Sequence, residues 1–185
     1  DLHSFPTRRS SDLVVEEVIA KMMASSKIDN KMAVPRFEKV ALNVGLSKAE
    51  KDQNFIENVT KDIRDITGQA PTIAKAKKAI SGFKIRQGQK VGLRVTLRGR
   101  KMWDFLDRFV GVALPRTKDF QGINASNIDE QGNLNIGIKE QLIFPEIKSD
   151  ETDTIFGLQV NIKTTAKNKK EGLSLFKLMG FPIKE

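Results

Sequence analysis

The sequence is short of the side chains that most often carry enzyme chemistry. It has no cysteine and no tyrosine, and its one histidine, His3, lies near the start of the chain. The absence of cysteine excludes disulfides, thiolate metal sites and cysteine nucleophiles, and it fits a reducing compartment. No spacing of carboxylates suggests a paired acid and base, and no glycine-rich phosphate loop is present. The sequence therefore predicts a protein that is not an enzyme and that uses no metal or cofactor.

Long apolar runs are missing as well. The 185 residues are 39% apolar and 30% charged, which is typical of a soluble globular protein. No uninterrupted apolar stretch approaches the roughly 20 residues that a membrane helix needs. A chain of this length suits one domain with a sizeable core. We expect a single domain over residues 14–185 that neither spans a membrane nor is secreted.

The first thirteen residues, DLHSFPTRRSSDL, do not share the apolar pattern that begins at Val14. Their back-translation resembles a widely used sequencing adapter read in frame, so we predict that residues 1–13 are an artefact and leave them out of the fold argument. The alternative is a genuine, disordered, basic-polar arm, and a genomic read across Val14 distinguishes the two. Because their two arginines and two aspartates cancel, the net charge of +9 does not depend on them.

Acidic residues are absent from one long stretch, residues 66–103, which contains ten lysines and arginines. The other residues hold 22 basic and 23 acidic side chains, so the net charge of the protein lies in this stretch. Like charges held this close repel each other unless an anion lies opposite, and nucleic acid is the commonest large polyanion in a cell. The concentration of charge predicts a nucleic-acid-binding protein.

Apolar periodicity predicts an α+β fold. Helical spacing marks residues 14–27, 55–66 and 100–112 and a last helix that is capped by Asn168 with Glu171 and stops at Gly180. Alternation marks strands over residues 37–45, 90–98, 134–138 and 158–162, whereas residues 114–131 predict a long loop. We expect helices packed on one face of a largely antiparallel sheet.

The polar side of these strands is the first candidate site. If helices cover the apolar face, the opposite face is open and presents four side chains: Asn43, Arg94, Thr96 and Arg98. Arginine contacts phosphate, and asparagine and threonine can read 2′-hydroxyls and base edges, so such a face suits RNA. The alternative is an ordinary solvated sheet face. The lack of acids nearby favours RNA.

The second candidate site is a long basic loop over residues 73–87. Its glycines and its lack of periodicity predict a long, mobile loop or hairpin. Phe83 either anchors the loop to the core, which is the interpretation that we favour, or stacks on a base. The residues assigned to this site are Lys75, Lys77, Lys78, Ser81, Gly82, Phe83, Lys84 and Arg86.

Four long segments resemble the bacterial large-subunit ribosomal protein L-five family, in the same order and at the same spacing. They are VPRFEKVALNVG, ITGQAPTIAKAKKAISGFKIRQGQKVGLRVTLRGRKMWDFLDR, LPRTKDFQGI and LNIGIKEQLIFPEI, and the resemblance runs from about Val14 to Glu185. It implies a structural protein of the cytoplasmic ribosome that binds 5S rRNA and large-subunit rRNA at the central protuberance. It also implies that the basic loop is a protruding loop, which contacts the P-site tRNA and a small-subunit head protein, and that other central-protuberance proteins lie nearby.

Position by position, the resemblance implies that Asn43, Gln69 and Thr96 contact 5S rRNA. The basic loop departs from the family pattern at Ala74, Lys75 and Ala79, where Thr, Arg and Ser are expected. The loop therefore keeps its charge but lacks two hydroxyls and one planar guanidinium. Because lysine acts as a point charge, a bidentate phosphate contact is not expected at position 75.

The residues alone leave two other functions open. A regulator or chaperone outside the ribosome could use the basic strand to bind an acidic protein partner, and co-sedimentation with large ribosomal subunits separates this alternative from a ribosomal role. An enzyme acting on RNA would need a metal held by carboxylates, and its activity would then depend on divalent ions.

Overall fold

The computed structural model describes residues 16–24, 30–46, 53–118, 120–147 and 154–184, and the predicted artefact at residues 1–13 lies outside them. Four α-helices occur in these ranges: α1 (16–24), α2 (Gln53–Thr67), α3 (Gly99–Arg108) and α4 (Lys169–Leu178). The strands in the same ranges are β1 (Phe37–Gly45), β2 (Thr72–Lys75), β3 (Lys90–Leu97), β4 (Ile123–Asn124), β5 (Leu134–Ile138), β6 (Leu158–Thr164) and β7 (Ile183–Lys184).

Five of these strands form one antiparallel sheet in the order β2-β3-β1-β6-β5. The central strand β1 is paired on both sides, so that Asn43 lies opposite Arg94 of β3 and opposite Gln159 of β6. The short strands β4 and β7 form a separate parallel pair. The predicted α+β fold with a largely antiparallel sheet is confirmed.

One face of the sheet is covered by helices and forms the hydrophobic core together with them. Along β1, Val40, Leu42 and Val44 are buried while Asn43 and Gly45 are exposed, which is the alternation that the period of two requires. The other long strands repeat it, and α2 and α3 pack on this side, against β3 and β1 respectively. The buried apolar side chains of β3, β5 and β6 are Leu93, Val95, Leu97, Leu134, Ile136, Ile138, Leu158, Val160 and Ile162.

An aromatic cluster joins the start of β1 to the C-terminal part of the chain. The ring of Phe37 lies 5.6 Å from Trp103 of α3, 5.3 Å from Phe176 of α4 and 5.9 Å from Phe181. Aromatic pairs at these separations each contribute about 0.5 to 1.5 kcal/mol beyond their buried area. The cluster fixes α3 and α4 against the same end of β1.

Helix α4 begins and ends where its sequence predicts. The Asn168 side chain accepts a hydrogen bond from the Glu171 backbone N–H at 2.9 Å, and Glu171 in return accepts one from the Lys167 N–H at 3.0 Å. The helix stops before Gly180, whose φ of 81° favours glycine. Its inner side lies so close to the turn before β5 that a Cβ on Gly172 would be 2.5 Å from Cα of Gly132.

Three segments differ from their predictions. Of the loop or hairpin predicted over residues 73–87, the hairpin is confirmed, but it begins as the edge strand β2. This strand is hard to recognise because Ile73 is 38% exposed and gives no apolar alternation. The helix predicted to Val112 loses α-helical geometry after Arg108 and continues as a π-helical turn, Phe109–Ala113. The loop predicted over residues 114–131 contains β4, because Ile123 pairs with the distant Ile183.

Candidate RNA-binding surface

Two rows of outward-facing positions cross the middle of the sheet in register. The first row is Thr72, Arg94, Asn43, Gln159 and Gly137, and the second is Thr96, Ala41, Asn161 and Asn135. We call these two rows the open face. Asn43, Arg94 and Gln159 are exposed, so no described helix covers it. The structure thus brings Asn43, Arg94 and Thr96 together, as the alternation predicts.

Arg98 lies just outside the sheet, since β3 ends at Leu97 and Arg98 is the N-cap residue of α3. It belongs to a group of positive charges at one end of the open face, which we call the cationic end: Lys39, Arg98 and Lys163. A hydrogen bond from Lys163, at 3.0 Å, lowers the pKa of Glu38, and the charges of Lys39 and Arg98 lower it further. Glu38 thereby offsets part of the charge of Lys163.

Gln69 is placed beside the open face by the turn that follows α2. Gly68 adopts a φ of 63°, which ends the helix. The Thr67 hydroxyl donates to the Gln69 carbonyl at 3.0 Å, and the Gln69 side-chain amide donates to the Thr96 backbone carbonyl at 3.4 Å. Gln69 is therefore next to Thr96, and the three residues that the family resemblance implies as RNA contacts lie on one surface.

Two cations of α3 hold this turn. The Lys101 ammonium donates to the Gly68 carbonyl at 2.8 Å, and the Arg108 guanidinium donates to the Ile66 carbonyl at 3.1 Å while it also pairs with Glu146. Positive charge at a helix C-terminus is favourable because the unpaired carbonyls carry partial negative charge. Lys101 therefore stabilises the turn that carries Gln69. From the sequence alone, Lys101 resembles the RNA-contacting cations of the basic stretch, and only the fold reveals this structural role.

The open face is mostly neutral. Arg94 is its only charged residue, and its other side chains are amides, hydroxyls or small groups. The predicted basic platform is therefore limited to Arg94 and the cationic end. The rest of the open face is polar and uncharged. Gln159, Asn161 and Asn135 were not among the predicted site residues, because the alternation shows that they point outward but not that β6 lies next to β1.

Residues 76–89 form an extension of the β2–β3 hairpin, which we call the basic arm. The Ala76 N–H donates to the Gln89 carbonyl at 2.8 Å, and Ile80 and Ile85 exchange two backbone hydrogen bonds of 2.9 and 3.1 Å. The backbone of the arm is thus paired at two levels, as in a hairpin and not in a structureless loop. Its basic side chains and the preceding Lys75 are all exposed: Lys75, Lys77, Lys78, Lys84 and Arg86.

The tip of the arm is the short turn Ser81–Phe83. Lys84 follows in the left-handed region at φ 55°, and a Cβ built on Gly82 would meet nothing within 4 Å. Phe83 is 77% exposed, so the interpretation that it anchors the arm to the core is wrong. The tip presents an aromatic ring beside positive charge.

Buried carboxyl groups occur away from the open face. Burial, with the charge of Asp65, raises the pKa of Asp62 in α2, and burial, with the charge of Asp104, raises the pKa of Asp107 in α3 to about 6. Among the described residues, no group of three or more His, Cys, Asp or Glu could hold a metal ion. The helices in those ranges also include none that is long and apolar enough to cross a membrane.

An α+β fold with an open polar sheet face, a cationic end and a basic arm is typical of RNA-binding proteins. Comparison with known proteins narrows the class. The family described as ribosomal protein L5 matches residues 30–86, and the C-terminal part of the same ribosomal family matches residues 90–183. The chain belongs to the ribosomal protein L5 family.

Curated relatives match nearly the whole chain. The large ribosomal subunit protein uL5 of Cupriavidus metallidurans is 48% identical over 178 residues, which is 96% of this chain and 99% of the relative. The same protein of Polynucleobacter asymbioticus is 50% identical over 91% of this chain and 94% of its own, and that of Halothermothrix orenii is 46% identical over 92% and 95%. The family membership confirms the resemblance and the predictions of a structural ribosomal protein without enzymatic activity and of a place in the cytoplasmic ribosome.

Proposed function

We propose that this chain binds 5S rRNA on the open face and attaches it to the central protuberance of the large subunit. The observation that carries the proposal is the juxtaposition of Asn43, Arg94 and Thr96 across two paired strands, with Gln69 held beside Thr96. The side chains of Asn43 and Arg94 have no hydrogen-bond partner among the described residues, so they are available to a ligand.

The chemistry of the site divides between positioning and recognition. Arg94 and Arg98 contact phosphates, which fixes the orientation of the RNA without reading its sequence. Asn43, Thr96 and Gln69 offer amide and hydroxyl groups, which can pair with 2′-hydroxyls and base edges. These neutral contacts distinguish RNA from other polyanions.

We assign the basic arm to a second set of partners, the P-site tRNA and a protein of the small-subunit head, with other proteins of the central protuberance beside it. Five exposed cations on an extended hairpin suit a contact that must survive relative movement, because the attraction to phosphate tolerates changes in geometry. Exposed Phe83 adds a ring that can stack on a base at the tip.

Binding of isolated 5S rRNA tests the first part of the proposal. Asn43→Ala and Thr96→Ala should each weaken the complex by about 1 to 3 kcal/mol, because each leaves a polar group of the RNA unpaired. Gln121→Ala serves as the control, since Gln121 is an exposed amide near β7 and outside the five-stranded sheet. If both open-face variants bind like the parent, 5S rRNA does not lie on this face.

Sedimentation separates the proposal from the alternative of a regulator outside the ribosome. The tagged chain should sediment with large ribosomal subunits and remain there at moderate salt. Recovery only in ribosome-free fractions, bound to an acidic protein, would support the alternative.

We further propose that residues 14–185 act as one unit and that residues 1–13 take no part in binding. A chain without residues 1–13 should bind 5S rRNA with unchanged affinity. A loss of affinity would mean that the segment is a genuine basic arm.

A further inference from the structure

The half of the open face on β6 and β5 carries amides that the family resemblance does not assign. Gln159 and Asn161 of β6 and Asn135 of β5 face the same side as Asn43. Gln159 is exposed, and Asn161 and Asn135 are half-buried. These three residues form what we call the amide strip.

The hydrogen bonding of the amide strip leaves a defined set of groups for a ligand. The Asn161 amide donates to the Asn135 side-chain oxygen. The Asn161 oxygen and the Asn135 amide nitrogen have no side-chain partner among the described residues, and neither do the polar atoms of Gln159. An acceptor and a donor therefore lie next to each other on paired strands. A ribose 2′-hydroxyl both donates and accepts, so it can satisfy both groups.

The shape around the amide strip allows close approach. Ala41 lies in the same row between Thr96 and Asn161, and Gly137 lies beside Gln159. A Cβ built on Gly137 or on Gly45 would meet nothing within 4 Å, so the surface there is open backbone. The row from Thr96 to Asn135 crosses three strand spacings, or roughly 14 Å. A flat surface of this width fits the wide, shallow minor groove of an A-form RNA helix, which displays 2′-hydroxyls.

Charge supports the same ligand geometry. The amide strip has no charged residue, whereas positive charge lies beside it, at Arg94 and at the cationic end. Phosphates laid on the strip would lose hydration without a cation in return. Sugars and base edges can instead lie on the strip while the phosphates on either side reach the cations.

We infer that the amide strip of Gln159, Asn161 and Asn135 binds the minor-groove ribose edge of a double-helical segment of the RNA and recognises its 2′-hydroxyls. This inference rests on the proposed binding of RNA to the open face. It extends the site from β3 and β1 to the opposite edge of the sheet, and it assigns RNA-over-DNA selectivity to neutral residues.

The test uses the full chain and 5S rRNA, with binding measured as a function of salt. Asn161→Ala and Gln159→Ala should each weaken binding about 5- to 100-fold and leave the slope of log affinity against log salt unchanged, because no phosphate contact is lost. Arg94→Gln, in contrast, should make that slope shallower by about 0.7 to 0.9. Gln121→Ala is the control for the loss of an exposed amide elsewhere.

Interference mapping identifies the RNA groups. 5S rRNA with 2′-deoxynucleotides scattered at low density is partitioned between bound and free fractions. Positions where deoxy substitution excludes the RNA from the parent complex should cluster in one minor groove, and part of the cluster should vanish with Asn161→Ala. Gln159→Ala, on an exposed side chain, repeats the test without risk to the fold.

The outcomes separate the two proposals. If the parent does not bind 5S rRNA, the proposed function fails. If the parent binds and Asn43→Ala weakens binding, but Asn161→Ala and Gln159→Ala bind like the parent or show an unchanged interference pattern, the function stands and the amide strip is not part of the site. A change of salt slope in either strip variant would also overturn the inference.

Discussion

Ionisation of Asp107 destabilises the folded protein at neutral pH. Burial and the neighbouring Asp104 raise its pKa to about 6, whereas an unfolded aspartate titrates near 3.8. Between these values the folded state holds the proton more tightly than the unfolded state. The penalty for ionising Asp107 in the fold is therefore absent below about pH 4, grows as the pH rises, and is complete above about pH 6.

Asp107→Asn should remove this penalty. We expect the variant to be more stable than the parent by about 1 to 2 kcal/mol at pH 7, less than the full linkage value because the half-buried carboxyl is partly solvated, and equally stable at pH 4. Urea unfolding at the two pH values measures the difference. Asp104→Asn is the comparison variant, since Asp104 is exposed and paired with Arg100 at 3.6 Å. Because its charge is the smaller of the two causes of the raised pKa of Asp107, this variant should give a smaller gain. A gain for Asp107→Asn that is equal at both pH values would contradict the assignment.

For single residues, alternation along one strand predicts the face of the sheet to which a side chain points, but not which residues of other strands lie beside it. Asn43, Arg94 and Thr96 could be placed on one open face because β1 and β3 each alternate clearly. Asn161 also alternates, yet its place in the site depends on β6 pairing with β1, which local pattern does not reveal. The prediction for Phe83 was wrong for a different reason. An apolar residue in a loop is usually buried, whereas Phe83 is exposed at the tip of the arm.

Among the elements, α4 and the turn before β5 meet at two glycines. A Cβ on Gly172 would lie 2.5 Å from the Gly132 Cα, and backbone cannot move as a flexible side chain does. Gly172→Ala should therefore destabilise the fold by about 1 to 3 kcal/mol, even though alanine is the better helix former. Gly111→Ala should be neutral or slightly stabilising, because a Cβ built on Gly111 would meet nothing within 4 Å. Equal denaturation midpoints for the two variants would show that α4 does not pack this closely.

The basic arm can be removed without disturbing the sheet. Ala76 and Gln89 are joined by a 2.8 Å backbone hydrogen bond, so a two-residue Asn-Gly turn in place of residues 77–88 should close the hairpin. The shortened chain should keep its 5S rRNA affinity within about twofold, because exposed charges separated from the site by more than a Debye length are screened. Large ribosomal subunits that contain the shortened chain should associate more weakly with small subunits and should bind P-site tRNA more weakly.

Light scattering of subunit association and filter binding of tRNA measure these losses. Gln87→Ala in the intact arm is the control, since Gln87 is exposed and the variant leaves the four cations of the arm in place, which are Lys77, Lys78, Lys84 and Arg86. If the shortened chain instead loses 5S rRNA binding by tenfold or more, the arm belongs to the 5S site and the division of labour is wrong.

Edge elements were the hardest to predict. β2 lies at the edge of the sheet with both faces partly solvated, so its residues lack the apolar alternation that identified β1, β3 and β6. β4 exists only because Ile123 pairs with Ile183, far along the chain. The helices were easier, because a capping residue and a stop glycine are local signals, as Asn168 and Gly180 show.

Over the whole molecule, the strand order divides the charge of the basic stretch into three places. The four cations of the basic arm and the preceding Lys75 lie on the hairpin, and Lys101 holds the end of α2, so β3 contributes little to the open face beyond Arg94. Composition shows the excess of charge but cannot show this division, because it depends on which residues the fold brings to one surface.

The division predicts a modest salt dependence for a protein of net charge +9. Among the described residues, Arg94, Arg98 and Lys39 are the cations near the open face that are not engaged in a close ion pair. Binding should therefore neutralise roughly three phosphates, and log affinity should fall with log salt at a slope of about −2 to −3. The shortened-arm chain should give the same slope, since the arm serves other partners. Titrations of 5S rRNA at several salt concentrations measure both. A slope of about −5 or steeper that becomes shallow when the arm is removed would mean that the arm grips 5S rRNA, and that phosphate attraction outweighs the neutral contacts of the sheet.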